Sequence, residues 1–421
     1  LASFVTAYAA LPDAGIDADS VVALTAFRTQ DPTALLGRAL DGVRRDGAAI
    51  TLDGAWDAPE VFPTYCAFHA VARVPVYQGG EPPYATTGGA WVFDAATGEL
   101  VMQNEASANV WVTIPRTAMP TDGFPAAVLV RTGAGGDRPL VDRGHHSVAH
   151  GPSDVPGAGP ALELARAGFA GVQVDGPHGG LRNVTGGDEQ FLVFNIQNPA
   201  ALRDNLRQSA LELALLVDLL DALSLDASAC PGLSVPAGDG IVGIDGRGLA
   251  LIGHSMGASI APLTAAFEPR YRALVLSGAG GSWLENVLYK LSPLATRPIA
   301  ESLLRYTSIR RSLREDDPVL NLLQWAGEDA DAQVYAPLLV REPARGSPRH
   351  ILMFQGVVDT YIPPPVANTL TVALGLDLAG DALDVVTPGV AMFTPIESLL
   401  GLRGRSTIAL PAFANFETTT T

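Results

Sequence analysis

The stretch from Gly248 to Phe267 constrains this chain more than any other. It runs Gly-Leu-Ala-Leu-Ile, then Gly253-His254-Ser255-Met256-Gly257, then a helix-compatible Ala258 to Phe267. An apolar strand that turns at once into a helix leaves little room for side chains at the bend. The pattern G-x-S-x-G meets that need by placing glycine two positions either side of the serine. The serine hydroxyl then projects above the strand end, with the amides of the helix N-terminus aimed at the same space. Ser255 is therefore a candidate nucleophile. A merely structural serine does not call for strand, bend and helix in that order. Pro262, inside the following helix, predicts a kink.

The surroundings of this motif repeat its logic. Ala126–Arg131 is a continuous apolar run that ends in the glycine-rich turn Gly133–Gly136. Ala161–Ala167 reads as helix and Phe169–Val174 as the next strand. A long amphipathic helix follows Pro199, with Leu202, Leu206, Leu213, Leu216 and Leu220 at helical spacing. Strands are expected again at Leu249–Ile252, Ala273–Leu276 and Ile351–Phe354. Continuous apolar strands alternating with helices predict an α/β core with a mostly parallel sheet buried on both faces.

With 421 residues the chain exceeds one ordinary core, so two units are expected. Residues 1–118 differ in texture: a helix over Asp31–Arg45, then β-like runs at Ala49–Leu52, Ala67–Tyr77, Ala90–Phe93 and Val110–Ile114, separated by Gly/Pro clusters. They read as a smaller β-rich N-terminal accessory segment. Pro115–Pro125 reads as a linker, and 119–421 as the main α/β domain. Residues 283–348 read as a helical insertion, a lid or ordinary helix packing.

Composition excludes several classes. Net charge is −17, which argues against nucleic acid and against anionic membrane surfaces. No transmembrane segment is expected: the best candidate, Leu211–Leu225, is broken by Glu212, Asp218 and Asp221. Lys290 is the only lysine. The two cysteines, Cys66 and Cys230, lie too far apart for a metal-knuckle spacing; they form one disulfide or two separate buried thiols. The chain opens at Leu1 rather than Met, which fits a processed product.

The GHSMG bend in its strand–helix setting resembles the α/β-hydrolase superfamily from about Phe124 onward. It is similar to the elbow of bacterial lipases, esterases and cutinase-like polyester hydrolases. Gly80–Val130 also resembles the lead-in of large secreted bacterial hydrolases with an accessory front domain. The resemblance implies chain order serine, acid, histidine. Gly356-Val-Val-Asp359-Thr-Tyr-Ile-Pro363 resembles the family's acid loop, which makes Asp359 the acid, with Asp381 and Glu397 as distant alternatives; a turn or capping aspartate is the bland reading. The oxyanion would rest on the amide of Met256 and on one from the turn after the first core strand, Ala134 or, second, Gly133. The family's usual His-Gly there is replaced by Arg131-Thr132.

One part is missing. All seven histidines, His69, His145, His146, His150, His178, His254 and His350, precede Asp359. Three explanations compete: a segment absent from the chain, at its end or at an internal join near Asn415; a histidine recruited from His145, His146 or His150; or a non-catalytic relative. Those three histidines otherwise read as a polar surface loop, and no metal site is expected. The expectation is that Ser255 and Asp359 leave neighbouring strands at their carboxyl ends with a gap of imidazole size between them, and that the backbone is broken near Asn415.

The resemblance implies a serine esterase or lipase without cofactor, acting on a small-molecule, lipid or polymeric ester. A polyester hydrolase and a binding module on a dead hydrolase core are the alternatives. Secretion, to the periplasm or beyond, is implied.

Overall fold

The structure is a computed structural model and describes residues 2–27, 29–133, 136, 138–144, 153–236, 238, 240–356 and 358–376. Its strands are β1 (Thr51–Leu52), β2 (Glu60–Val61), β3 (Tyr65–Val76), β4 (Asn104–Pro115), β5 (Ala126–Leu129), β6 (Ala170–Val174), β7 (Leu225–Asp226), β8 (Ile241–Val242), β9 (Leu249–His254), β10 (Tyr271–Ser277) and β11 (His350–Phe354). Among the described residues nine of them form one sheet, in the order β1-β3-β4-β6-β5-β9-β10-β11, with β2 beside β3. β5, β6, β9, β10 and β11 pair in parallel, while β4 is antiparallel to both its neighbours. β7 and β8 make a separate small ribbon.

The helices are α1 (Ala2–Ala9), α2 (Ala34–Arg45), α3 (Pro139–Asp142), α4 (Pro160–Arg166), α5 (Glu189–Val193), α6 (Pro199–Asp221), α7 (Met256–Phe267), α8 (Trp283–Tyr289), α9 (Thr296–Leu303), α10 (Pro318–Gly327), α11 (Ala332–Tyr335), α12 (Pro337–Val340) and α13 (Pro364–Leu374). α6 has Pro199 at its first turn and the Asn198 side chain accepting from the Ala201 amide, the standard remedy for unpaired N-terminal donors. α7 runs on through Pro262 without ending there.

The sheet separates two cores. On β4, Val110, Val112 and Ile114 face the larger core, built with α2, α6 and α7, while Trp111 packs against the smaller one with Leu140, Val141, Ala161 and Ala165 from α3 and α4. This is the two-residue period of a strand covered on both faces. The β-rich segment within residues 1–118 supplies β1 to β4 of the same sheet, and β3 and β4 pair along their whole length. Ala90–Phe93, expected as a strand, contributes only single bridges, at Trp91 and Phe93. Cys66 on β3 is bonded to Cys230, so the two residues form the disulfide that the sequence left open.

Residues 283–340 are mostly helical and carry a small core of their own, with Leu288, Tyr306, Leu313 and Leu320. Trp283, at their start, donates from its indole nitrogen to the Gly327 carbonyl at 2.9 Å and meets Phe194 edge to face.

Candidate active site

The chain places β6 on one side of β5 and β9 on the other, so the strand order reverses at β5. A crevice outside the carboxyl ends of the strands opens at such a point, because successive crossovers leave in opposite directions. Ser255 follows β9 there, and the segment that begins at Val130 follows β5.

Ser255 has φ 51° and ψ −117°, a backbone conformation that non-glycine residues rarely adopt. The bend is held by the Ser255 amide donating to the Ser277 carbonyl on β10 at 2.9 Å, and by the Ala258 amide donating to the Ser255 carbonyl at 2.9 Å. Its flanking glycines are needed on contact grounds. A Cβ on Gly253 would stand 2.7 Å from the Gly257 carbonyl oxygen, and one on Gly257 would stand 2.8 Å from the Val130 carbonyl oxygen. The second contact ties the elbow to the start of the turn after β5. One cavity is bordered by Met256, Val130, Arg131, Gly176, Glu189 and Ser209, so the residue after the serine and the head of that turn face a common space.

Of the two candidates for the second oxyanion donor, Ala134 lies outside the described residues. Gly133 lies within them, packed so closely on α5 that a Cβ would stand 2.9 Å from that of Gln190. The turn is secured by Arg131, which is only 6 % exposed. Its guanidinium meets Glu189 through Nε and Nη2, Asp175 through Nη1 at 3.1 Å, and the Gly136 carbonyl through Nη2 at 2.8 Å. Asp175, fully buried, also accepts from the Asn109 amide and side chain and from the Leu181 amide. A fork with several fixed donors suits this task better than an ammonium. The sequence reading noticed Arg131 only as a departure from His-Gly. Its signal was a charge closing an otherwise apolar strand.

Asp359 lies in the turn after β11. The expectation of neighbouring strands is corrected here: β10 stands between β9 and β11, pairing Ser277 with His254 on one side and with Phe354 on the other. The strand itself was legible as Ala273–Leu276, but the order in which strands pair is not readable from a list of apolar runs. Both residues nonetheless leave the sheet at its carboxyl end. Asp359 Oδ1 accepts from the Tyr361 and Ile362 amides at 2.8 and 3.0 Å, so the carboxylate shapes its own turn. This is the turn role that the sequence analysis gave as the bland reading. The alternatives Asp381 and Glu397 lie outside the described residues.

Among the described residues no histidine is hydrogen-bonded to Ser255 or Asp359. His145, His146, His150 and Asn415 all lie outside those residues, so none of the three explanations for the histidine gains a position. His69, on β3, bonds Asp57 at 2.6 Å and Asn109 at 2.9 Å. His178 is buried with φ 61°, its Nε2 3.3 Å from the Asn205 Oδ1, and burial drives its pKa down to about 4. Desolvation, with the Arg143 charge adding to it, lowers the pKa of His254, while the Asp359 carboxylate opposes both. No group of three or more metal-ligating side chains occurs among the described residues, and no helix among them is long and apolar enough to cross a membrane.

No protein-family model matches the chain, and no curated protein matches it. Among solved structures the chain is similar to acetyl xylan esterase 1 from a Thermoanaerobacterium species, at 17 % identity and a TM-score of 0.45, over 82 % of each chain. It is similar to an acetyl xylan esterase from a Paenibacillus species, at 12 % identity and a TM-score of 0.43, over 79 % of this chain and 90 % of that one. A glucuronoyl esterase from Teredinibacter turnerae gives 13 % identity and a TM-score of 0.34, over 88 % of this chain and 76 % of that one. At such values the site stands on its own geometry. The mostly parallel sheet, with the strained bend of Ser255 at its switch point and the Asp359 turn after a late parallel strand, gives this chain an α/β fold.

Proposed function

We propose that this chain is a serine hydrolase that cleaves carboxylic esters through an acyl-enzyme. Ser255 Oγ attacks the ester carbonyl. The amide of Met256 and one from the turn at Gly133–Ala134 take the charge that develops on its oxygen. A histidine accepts the serine proton and returns it to the departing alcohol, Asp359 orienting that imidazole. Water then releases the acid by the same steps in reverse. The sequence balances without a cofactor or metal.

The observation that carries this reading is the backbone of Ser255. Its strain is held in place by a clearance of glycines and by the Ser277 carbonyl, which a structural serine would not need. Leu291, Leu294, Phe354, Val358 and Tyr361 are exposed on the acid turn, its strand and the adjoining insertion, which favours an ester with an apolar part, lipid or polymer included. The Cys66–Cys230 disulfide favours an oxidising compartment and hence secretion.

Hydrolysis of p-nitrophenyl acetate tests the reading. The parent turns it over and Ser255→Ala retains less than about a tenth of that rate. Equal rates would remove Ser255 from the mechanism.

A further inference from the structure

We propose that Lys290 is the positioning residue of the acid turn: its ammonium clamps, through the Tyr361 carbonyl, the backbone that carries Asp359, and brings a fixed positive charge to that turn. The inference rests on the reading of Ser255 and Asp359 given above.

Lysine and arginine together number 27 in this chain, and Lys290 is the one lysine. It stands just past α8, where the insertion meets the acid turn. Its Nζ donates to the Tyr361 carbonyl at 2.6 Å. The next two amides, of Leu291 and Ser292, donate to the Thr360 carbonyl at 3.1 and 2.9 Å. From inside the turn, Asp359 Oδ1 accepts from the Tyr361 and Ile362 amides. The turn is thus gripped twice, by its own carboxylate and by residues 290–292. The Tyr361 ring lies 6.0 Å from the ammonium.

The chemistry explains a lysine here. The contact is one carbonyl in a tight turn, which suits a compact point charge on a flexible stem and wastes most of a planar fork. Lys290 is half-buried, desolvation lowers its pKa, and the charge that opposes this is Asp359. On the insertion itself, Glu315 accepts from the Tyr289 hydroxyl and Arg297 pairs with Glu301. Glu285, on α8, is pushed up in pKa by burial and by Glu315.

Two effects follow for the active site. Loss of the ammonium loosens the turn that aims Asp359. It also removes a positive charge near the base, so the protonated base forms more easily and the acid limb of kcat/KM moves to higher pH. A purely structural lysine would alter stability without moving that limb.

The test compares Lys290→Met, which keeps the stem, with Lys290→Arg, which keeps the charge. Lys290→Met should lose about tenfold or more in kcat with KM changed less than about threefold, and its acid limb should rise; Lys290→Arg should recover to within about threefold of the parent. A second measurement needs no turnover. Reductive methylation labels the only lysine side chain, and its NMR titration is followed in the parent and in Asp359→Asn. Removing the carboxylate should lower the pH at which Lys290 titrates. An unchanged titration, or Met and Arg variants alike in kcat and acid limb, overturns the assignment. If Ser255→Ala keeps full hydrolysis, the active-site reading fails and the positioning role falls with it. A missing Lys290–Asp359 coupling with Ser255 still essential overturns the Lys290 assignment alone.

Discussion

The amide of Ser255 donates to the carbonyl of Ser277 at 2.9 Å, so the residue after β9 is fastened to the last residue of β10. This bond stops the strained elbow from relaxing along its own strand. It also sets the distance between Ser255 and the turn that carries Asp359, because Ser277 is paired in turn with Phe354 on β11. The site is thus assembled across three parallel strands rather than two.

Asp359→Asn is a clean probe of the acid. The amide oxygen of asparagine can still accept from the Tyr361 and Ile362 amides, so the turn survives and stability should change by less than about 0.5 kcal/mol. Turnover should fall on the order of 10³–10⁴-fold, because the charge that fixes the histidine tautomer is gone. A loss under tenfold, measured by steady-state hydrolysis, would reassign the acid.

Gly257→Ala should damage both halves of the oxyanion site. The new methyl meets the Val130 carbonyl oxygen at 2.8 Å and must push the turn after β5 away from Met256. The expected cost is about 1–3 kcal/mol in stability, with a loss of kcat on the order of 10²–10³-fold. Denaturant unfolding and hydrolysis together check it. Full activity would show that the turn after β5 does not take part.

Much of this was legible in the sequence, and the reasons are physical. The elbow was legible because steric crowding dictates glycine at fixed spacing, and the parallel sheet because strands covered on both faces read as unbroken apolar runs. The place of residues 51–115 was harder to read. β4 alternates between two different cores, so Val110, Trp111 and Val112 are all apolar, and nothing local says that it pairs with β6 on the far side of β5. The polar interior of α6 was also hidden. Gln208 accepts from the Tyr77 amide and the Trp91 indole and donates to the Pro75 carbonyl, and only tertiary packing makes those contacts. The same holds for Arg131, whose partners Asp175 and Glu189 are remote in sequence.

His178 makes stability depend on pH. Its folded pKa, about 4, lies below the ordinary 6.5, so protons bind the unfolded chain more readily. The stabilising contribution of the neutral ring is complete above pH 6.5 and declines as the pH falls toward 4, by about 3 kcal/mol in all. Denaturant titrations at pH 7 and pH 5 should show this decline in the parent. In His178→Asn, whose residue tolerates the positive φ, the decline should be smaller. Equal pH slopes would mean that the imidazole is not held neutral by its burial.

The claim that Ser255 is an activated nucleophile is tested most directly with a fluorophosphonate probe, since only an activated serine reacts with it. Digestion and mass mapping of the labelled protein should place a single adduct on Ser255, absent from Ser255→Ala and much slower to form in Asp359→Asn. A folded protein that takes up no probe, or takes it up at another residue with Ser255 intact, would contradict the account.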